Sequence, residues 1–242
     1  MRRFFSYRDS LTTSAIVRLP MQGIRRTHGP QQSMRRVQPA VISTIRKLVG
    51  PLGDSLVDKR DRALILLGFA GAFRRSELVA LEVRDITDTD DGLRIVLRHS
   101  KTDQEGAGIV KGIPYGREVE TCPVRACKAW LAAAGITEGV IFRSIGRYGS
   151  IGVSLSDRAV ADVIKKRARA VGLDETKFSG HSLRAGLATA AALAGVNERA
   201  IAAQTGHKSM TVLRTYIREG SLFRDNAAAQ VVLQKLVTGD NE

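Results

Sequence analysis

From residue 40 onward, apolar positions recur at helical spacing in blocks punctuated by glycine and proline. Val41, Ile42, Ile45 and Leu48 make a first stripe, stopped at Gly50-Pro51. A denser block runs from Leu56 through residues 62–67 to Phe69 and ends at Gly71. Glu77, Leu78, Leu81 and Val83 begin a further buried helix. Pro123, Val124, Ala126, Trp130 and Leu131, closed by Gly135, predict a core helix with proline in its first turn and glycine at its end. Ser156 caps the next, whose buried face is Val160, Val163 and Ile164. Leu187, Ala191, Leu193, Val196 and Ile201 then predict two short core helices about a turn at Gly195. The period changes over residues 85–117. An Asp91-Gly92 turn, alternation over residues 93–98 and a second turn near Gly106 predict a small three-stranded antiparallel sheet. Val140, Ile141 and Phe142 read as a short strand leading into a basic, glycine-rich loop that ends near Gly152. The class is α+β, mainly α-helical.

Composition changes this picture at the amino terminus. Residues 1–40 hold eight arginines against the single acid Asp9, half of the net charge of +14. Gly23, Gly29, Pro30 and a polar run leave little there to pack, so residues 1–39 read as a basic linker with at most one helix, at 11–17. Residues 40–242 suffice for one well-cored domain. The excess of Lys and Arg, 38 against 24 acids, points to a polyanionic partner. An RNA-binding reading finds little support, because aromatics are only 5% and no RNP, KH or zinc-knuckle pattern occurs. No apolar run is long enough to span a bilayer, and no secretory leader is evident, so a cytoplasmic location is expected. Cys122 and Cys127 supply neither a disulfide framework nor a four-ligand zinc site. The acids Asp85, Asp88, Asp90 and Asp91 lack the glycine and terminal glutamate of a calcium loop and read as a polar turn.

Candidate chemistry gathers in residues 179–218. His181 and Arg184 stand three apart and share a helix face. His207 follows Gly206, and Tyr216 lies nine residues beyond it. Upstream, Arg74 stands three before Glu77 in Gly-Ala-Phe-Arg-Arg-Ser-Glu-Leu, with Arg75 as the neighbouring competitor. Lys101, followed by Thr102, falls in the turn after the second predicted strand.

In this order and spacing the residues resemble the tyrosine recombinase (phage integrase) family, over residues ~40–238. The resemblance implies the catalytic-domain fold of that family and six catalytic residues, Arg74, Lys101, His181, Arg184, His207 and Tyr216. Tyr216 would be the nucleophile, Arg74 and Arg184 the phosphate forks, Lys101 the proton donor to the departing 5′ oxygen, and His207 a donor to a non-bridging oxygen. His181 would take the phenol proton or hold the phosphate. The implied partner is double-stranded DNA, with no metal, cofactor or ATP, and with self-association on DNA, as a tetramer, or a second recombinase or accessory protein. The family usually begins with a separate DNA-clamping domain, of which residues 1–39 would be a remnant. A truncated, catalytically weak integrase that only binds DNA is therefore the alternative. The apolar row Leu222, Phe223, Ala227, Val231, Val232 and Leu236 predicts a last helix that docks on its own domain or, as the resemblance implies, on a neighbouring protomer.

Overall fold

The structure, a computed structural model, describes residues 37–98, 108–207 and 210–221. The predicted helix at 11–17, Lys101 and the tail row from Leu222 lie outside these residues. Helix α1 (Ile42–Val49) leads to α2 (Leu56–Ala70), the central element. Ala63, Leu64, Ile65, Leu66 and Leu67 are five consecutive buried residues, so α2 is covered all round rather than along one stripe. It packs against α1, the short α3 (Arg75–Val79), α4 (Pro123–Ala134), α5 (Asp157–Ala170) and α6 (Gly180–Leu193). Ser55 caps it by accepting from the Asp58 amide at 3.1 Å. Near its start the fully buried Asp61 accepts from Arg60 and from Arg167 of α5. That pairing offsets the cost of burying the carboxylate.

The predicted sheet is present as β1 (Ile86–Thr89), β2 (Gly92–Leu97) and β3 (Ile109–Pro114), antiparallel in that order. Leu93, Ile95 and Leu97 turn inward, and the register sets Lys111 opposite Ile95. Within the acidic set, Asp85 accepts from Arg98 and Asp88 pairs with Lys128.

Around the sheet, the sequence expectations need revision. The helix begun at Glu77 lasts only five residues, because residues 81–83 leave it to exchange backbone hydrogen bonds with 139–141. Val140 makes a single bridge to Glu82 there, and Ile141 accepts from the buried Trp130 indole at 2.7 Å. The glycine-rich stretch that follows is a two-stranded hairpin, β4 (Arg143–Ile145) and β5 (Ile151–Ser154), rather than a loop.

Helix α6 ends as expected before Gly195, and α7 (Glu198–Thr205) and α8 (Met210–Ser221) complete the described chain. The core face of α6 differs from the sequence reading. Leu193 and Val196 are 55% and 43% exposed, whereas Leu183, Ala185, Ala188, Ala190 and Ala192 are buried. Small side chains let α6 approach its neighbours closely. A Cβ on Gly186 would come within 2.1 Å of the Ala40 carbonyl. Cys122 and Cys127 are both buried, and the Cys122 thiol caps α4.

Candidate active site

The site is built on the turn that ends α2. Gly71 closes the helix, and the Phe73 ring folds back over it; a Cβ on Gly71 would meet that ring at 2.1 Å. Ala72 is held at φ 47°, a left-handed conformation that costs a non-glycine residue about 1–2 kcal/mol. Three consecutive carbonyls of this turn are gripped from three elements. Ala70 accepts from Gln204 Nε2 of α7 at 2.8 Å, Gly71 from Lys111 Nζ of β3 at 2.6 Å, and Ala72 from Arg184 Nη1 of α6 at 2.8 Å. Helix carboxy termini leave carbonyls without intrahelical partners and favour cations, so two of the three donors are charged. Lys111 also donates to the Gln204 carbonyl at 2.6 Å and lies over the Phe73 ring at 5.0 Å.

Arg74 emerges from this turn. Glu77, one turn into α3, accepts from the Arg74 amide at 2.9 Å and pairs with its guanidinium. Ser179 caps α6 by accepting from the His181 amide at 3.2 Å, which puts His181 in the first turn and Arg184 three residues on, beneath it. Helix α8 packs on α6 and brings Tyr216 to His181, with Oη 2.9 Å from Nε2. Gly206, at φ 63°, ends α7 in the left-handed cap that glycine adopts without strain, and turns the chain so that His207 follows. The His207 ring centroid is 6.2 Å from that of Tyr216, and its Nδ1 is 2.6 Å from Thr205 Oγ1. A cleft of about 250 Å³, lined by Phe73, Arg74, Arg75, Ser76, Asp157, Gly180 and His181, opens beside the phenol's partner.

Burial and crowded positive charge set the electrostatics. Arg184, buried, is brought down to about 10 by burial and by Arg74, against the pull of Glu77 and Tyr216, and stays charged at neutral pH. Burial and the guanidinium groups of Arg184, Arg75 and Arg74 lower His181, favouring a neutral ring. His207 is pushed down to about 4 by burial and by Arg184, Arg74, His181 and Lys111. Lys111 falls to about 8, chiefly from burial, with Glu77 opposing.

The structure thus brings Arg74, His181, Arg184, His207 and Tyr216 together. Arg75 lines the same cleft but is tied to its wall: its stem crosses Gly180 and its guanidinium is 3.7 Å from Asp157. Lys111, Gln204 and Thr205 are the residues that sequence reasoning missed. Lys111 had a signal, since it interrupts the inward alternation of Ile109 and Ile113 with a charge. Gln204 and Thr205 had none beyond lying just before Gly206. No set of three potential metal-ligating side chains occurs among the described residues.

Residues 42–221 match the family model described as the phage integrase family. The chain is 45% identical over 225 residues to an integrase/recombinase xerD homolog of Selenomonas ruminantium, covering 92% of this chain and 65% of that protein. It is 25% identical over 180 residues to the recombinase cre of Escherichia phage P1, covering 68% and 51%. The fold matches the XerH site-specific recombinase in a post-cleavage complex with its palindromic difH substrate, at a TM-score of 0.64 and 16% identity. That match covers 94% of this chain and 59% of the other. A lambda integrase dimer bound to a core site matches at 0.54 and 16% identity, covering 84% and 58%. The chain spans about half to two thirds of the length of these relatives.

Proposed function

The chain belongs to the phage integrase family, and from that premise we propose that it cleaves and rejoins DNA at specific sites through a 3′-phosphotyrosyl intermediate. The observation that carries the proposal is the 2.9 Å contact between Tyr216 Oη and His181 Nε2, one helical turn above the buried Arg184. A phenol has an ordinary pKa of about 10 and needs its proton removed to attack phosphorus. A neutral His181 is an acceptor for that proton. Arg74 and Arg184 place two permanently charged forks toward the non-bridging oxygens, where negative charge builds up in transfer. Tyr216 attacks in line, the bond from phosphorus to the 5′ oxygen breaks, and Lys101 returns a proton to the departing oxygen. A 5′-hydroxyl of a second duplex then attacks the phosphotyrosine and releases Tyr216. The phosphodiester bond energy is kept throughout, so the scheme needs neither ATP nor metal.

The test is incubation with a nicked duplex carrying the DNA that flanks the gene, scored for a covalent adduct on a denaturing gel. Wild type is expected to form it. Tyr216→Phe is expected to abolish it while leaving DNA affinity within about fivefold, since one hydroxyl contributes ~1 kcal/mol or less to ground-state binding. Adduct persisting in the variant removes Tyr216 as nucleophile. DNA binding with no adduct from the wild type favours the DNA-binding remnant.

A further inference from the structure

Thr205 ends α7 with its side chain fully buried, and its hydroxyl faces two carbonyls of its own helix, with Ala202 the more distant at 3.5 Å, and the ring of His207. Oγ1 lies 2.7 Å from the Ile201 carbonyl oxygen and 2.6 Å from His207 Nδ1. A hydroxyl has one hydrogen to give, and a carbonyl oxygen can only accept. The contact with Ile201 therefore uses that hydrogen. The contact with His207 is then a hydrogen bond only if Nδ1 carries a hydrogen and donates it to Oγ1. The reverse arrangement would set two oxygens lone pair to lone pair at 2.7 Å in a site closed to water.

We propose that Thr205 is a positioning residue that keeps the ring hydrogen of His207 on Nδ1 and so reserves Nε2 for the phosphate. This rests on the reading of His207 as a phosphate contact. In the ligand-free site the ring is neutral, held near 4 by burial and by Arg184 and His181 of α6, Arg74 of the α2 turn and Lys111 of β3; α8 faces it with Tyr216. Nε2 then offers a lone pair, which repels a phosphate oxygen. An arriving phosphodiester brings the anion that favours a protonated ring. Nε2 takes a proton from solvent and becomes a donor, while both hydrogen bonds of Thr205 stay as they are. Phosphate entry and proton uptake become one event, and the positive charge on His207 exists only with DNA in place.

Histidine-selective 15N NMR of the full chain without DNA reads this directly. The chain has four histidines, and His207→Gln identifies the resonance. At neutral pH the wild type is expected to show a protonated Nδ1 and an unprotonated Nε2. Thr205→Val, of the same shape, is expected to shift the ring toward the Nε2-protonated form, and Thr205→Ser to keep the wild-type pattern. An Nε2-protonated ring in the wild type, or an unchanged pattern in the valine variant, overturns the proposal. If the valine variant does not fold, the wild-type and serine spectra decide, because each reports the tautomer. In the adduct assay, Thr205→Val is expected to be slower by about tenfold or more, the scale of losing an outer partner that orients a ligating histidine. Thr205→Ser should stay within about threefold, with little change in DNA affinity for either. Equal rates for valine and threonine remove the catalytic importance of the hydroxyl. A wild type that makes no adduct counts against the functional reading alone, and the tautomer spectra still decide the role of Thr205.

Discussion

At the scale of single residues, Arg184 has two duties that only a guanidinium combines. It gives one nitrogen to the Ala72 carbonyl and keeps its other donors for the site, next to Arg74 and Tyr216. An ammonium has no planar fork and cannot span both. Arg184→Lys is therefore expected to lose nearly as much cleavage as Arg184→Ala, by single-turnover adduct formation. Arg75, paired with Asp157 at 3.7 Å, is expected to be milder on replacement than Arg74. His207 gives a prediction about stability. Its folded-state pKa, about 4, lies below the ordinary 6.5, so the unfolded chain binds more protons at the ring between those values. This contribution is fully present above pH 6.5 and is lost as pH falls toward 4. Denaturant melts of His207→Gln should accordingly show a shallower loss of stability from pH 6.5 to 4 than the wild type. An identical loss in both would mean that the ring is not depressed.

At the scale of elements, Lys111 joins β3 to the ends of α2 and α7. Because its folded pKa is lowered to about 8 from 10.5, its burial as a cation costs stability at neutral pH. The cost is relieved as pH rises from about 8 to 10.5, by up to about 1.4 kcal/mol per pH unit. Wild type should gain stability relative to Lys111→Met over that window, a comparison that cancels the titration common to both. The same variant leaves the Gly71 and Gln204 carbonyls without this donor, so slower cleavage is expected from it at every pH. Elements of this kind explain what the sequence could and could not tell. Helix ends marked by Gly71, Gly135 and Ser156 were legible, because caps and left-handed turns are local chemistry. The inward face of α6 was not. Its alanines become core through close approach to neighbours, which no apolar periodicity encodes. Residues 81–83 escaped for a similar reason: they continue a helical apolar pattern, and their hydrogen-bond exchange with the strand-like 139–141 is tertiary. The five residues that the fold gathers were singled out by their order and spacing, whereas the Thr205 hydroxyl stands out only once His207 is seen turned back onto it.

At the scale of the whole molecule, a net charge of +14 would make the proposed binding to DNA a counterion-release process. Affinity for duplex DNA should fall linearly on a log–log plot against salt. Arg75→Gln should reduce that slope by about 1 if its guanidinium meets a phosphate, and leave it unchanged if Asp157 keeps it. The turn at residues 70–72 has a further consequence, for the order in which the protein becomes active. Its left-handed Ala72 is locally unfavourable, and its three carbonyl partners lie 40, 112 and 134 residues away along the chain. Local backbone bonds from Ala72 to Phe69 and from Phe73 to Gly68 shape the turn, but its side-chain support is complete only once β3, α6 and α7 have packed. A half-unfolded copy keeps the positive charge of the chain but not the arrangement of Arg74, Arg184 and Tyr216 on which the proposed cleavage rests. On the proposed function, cleavage needs the finished fold, whereas binding to DNA does not.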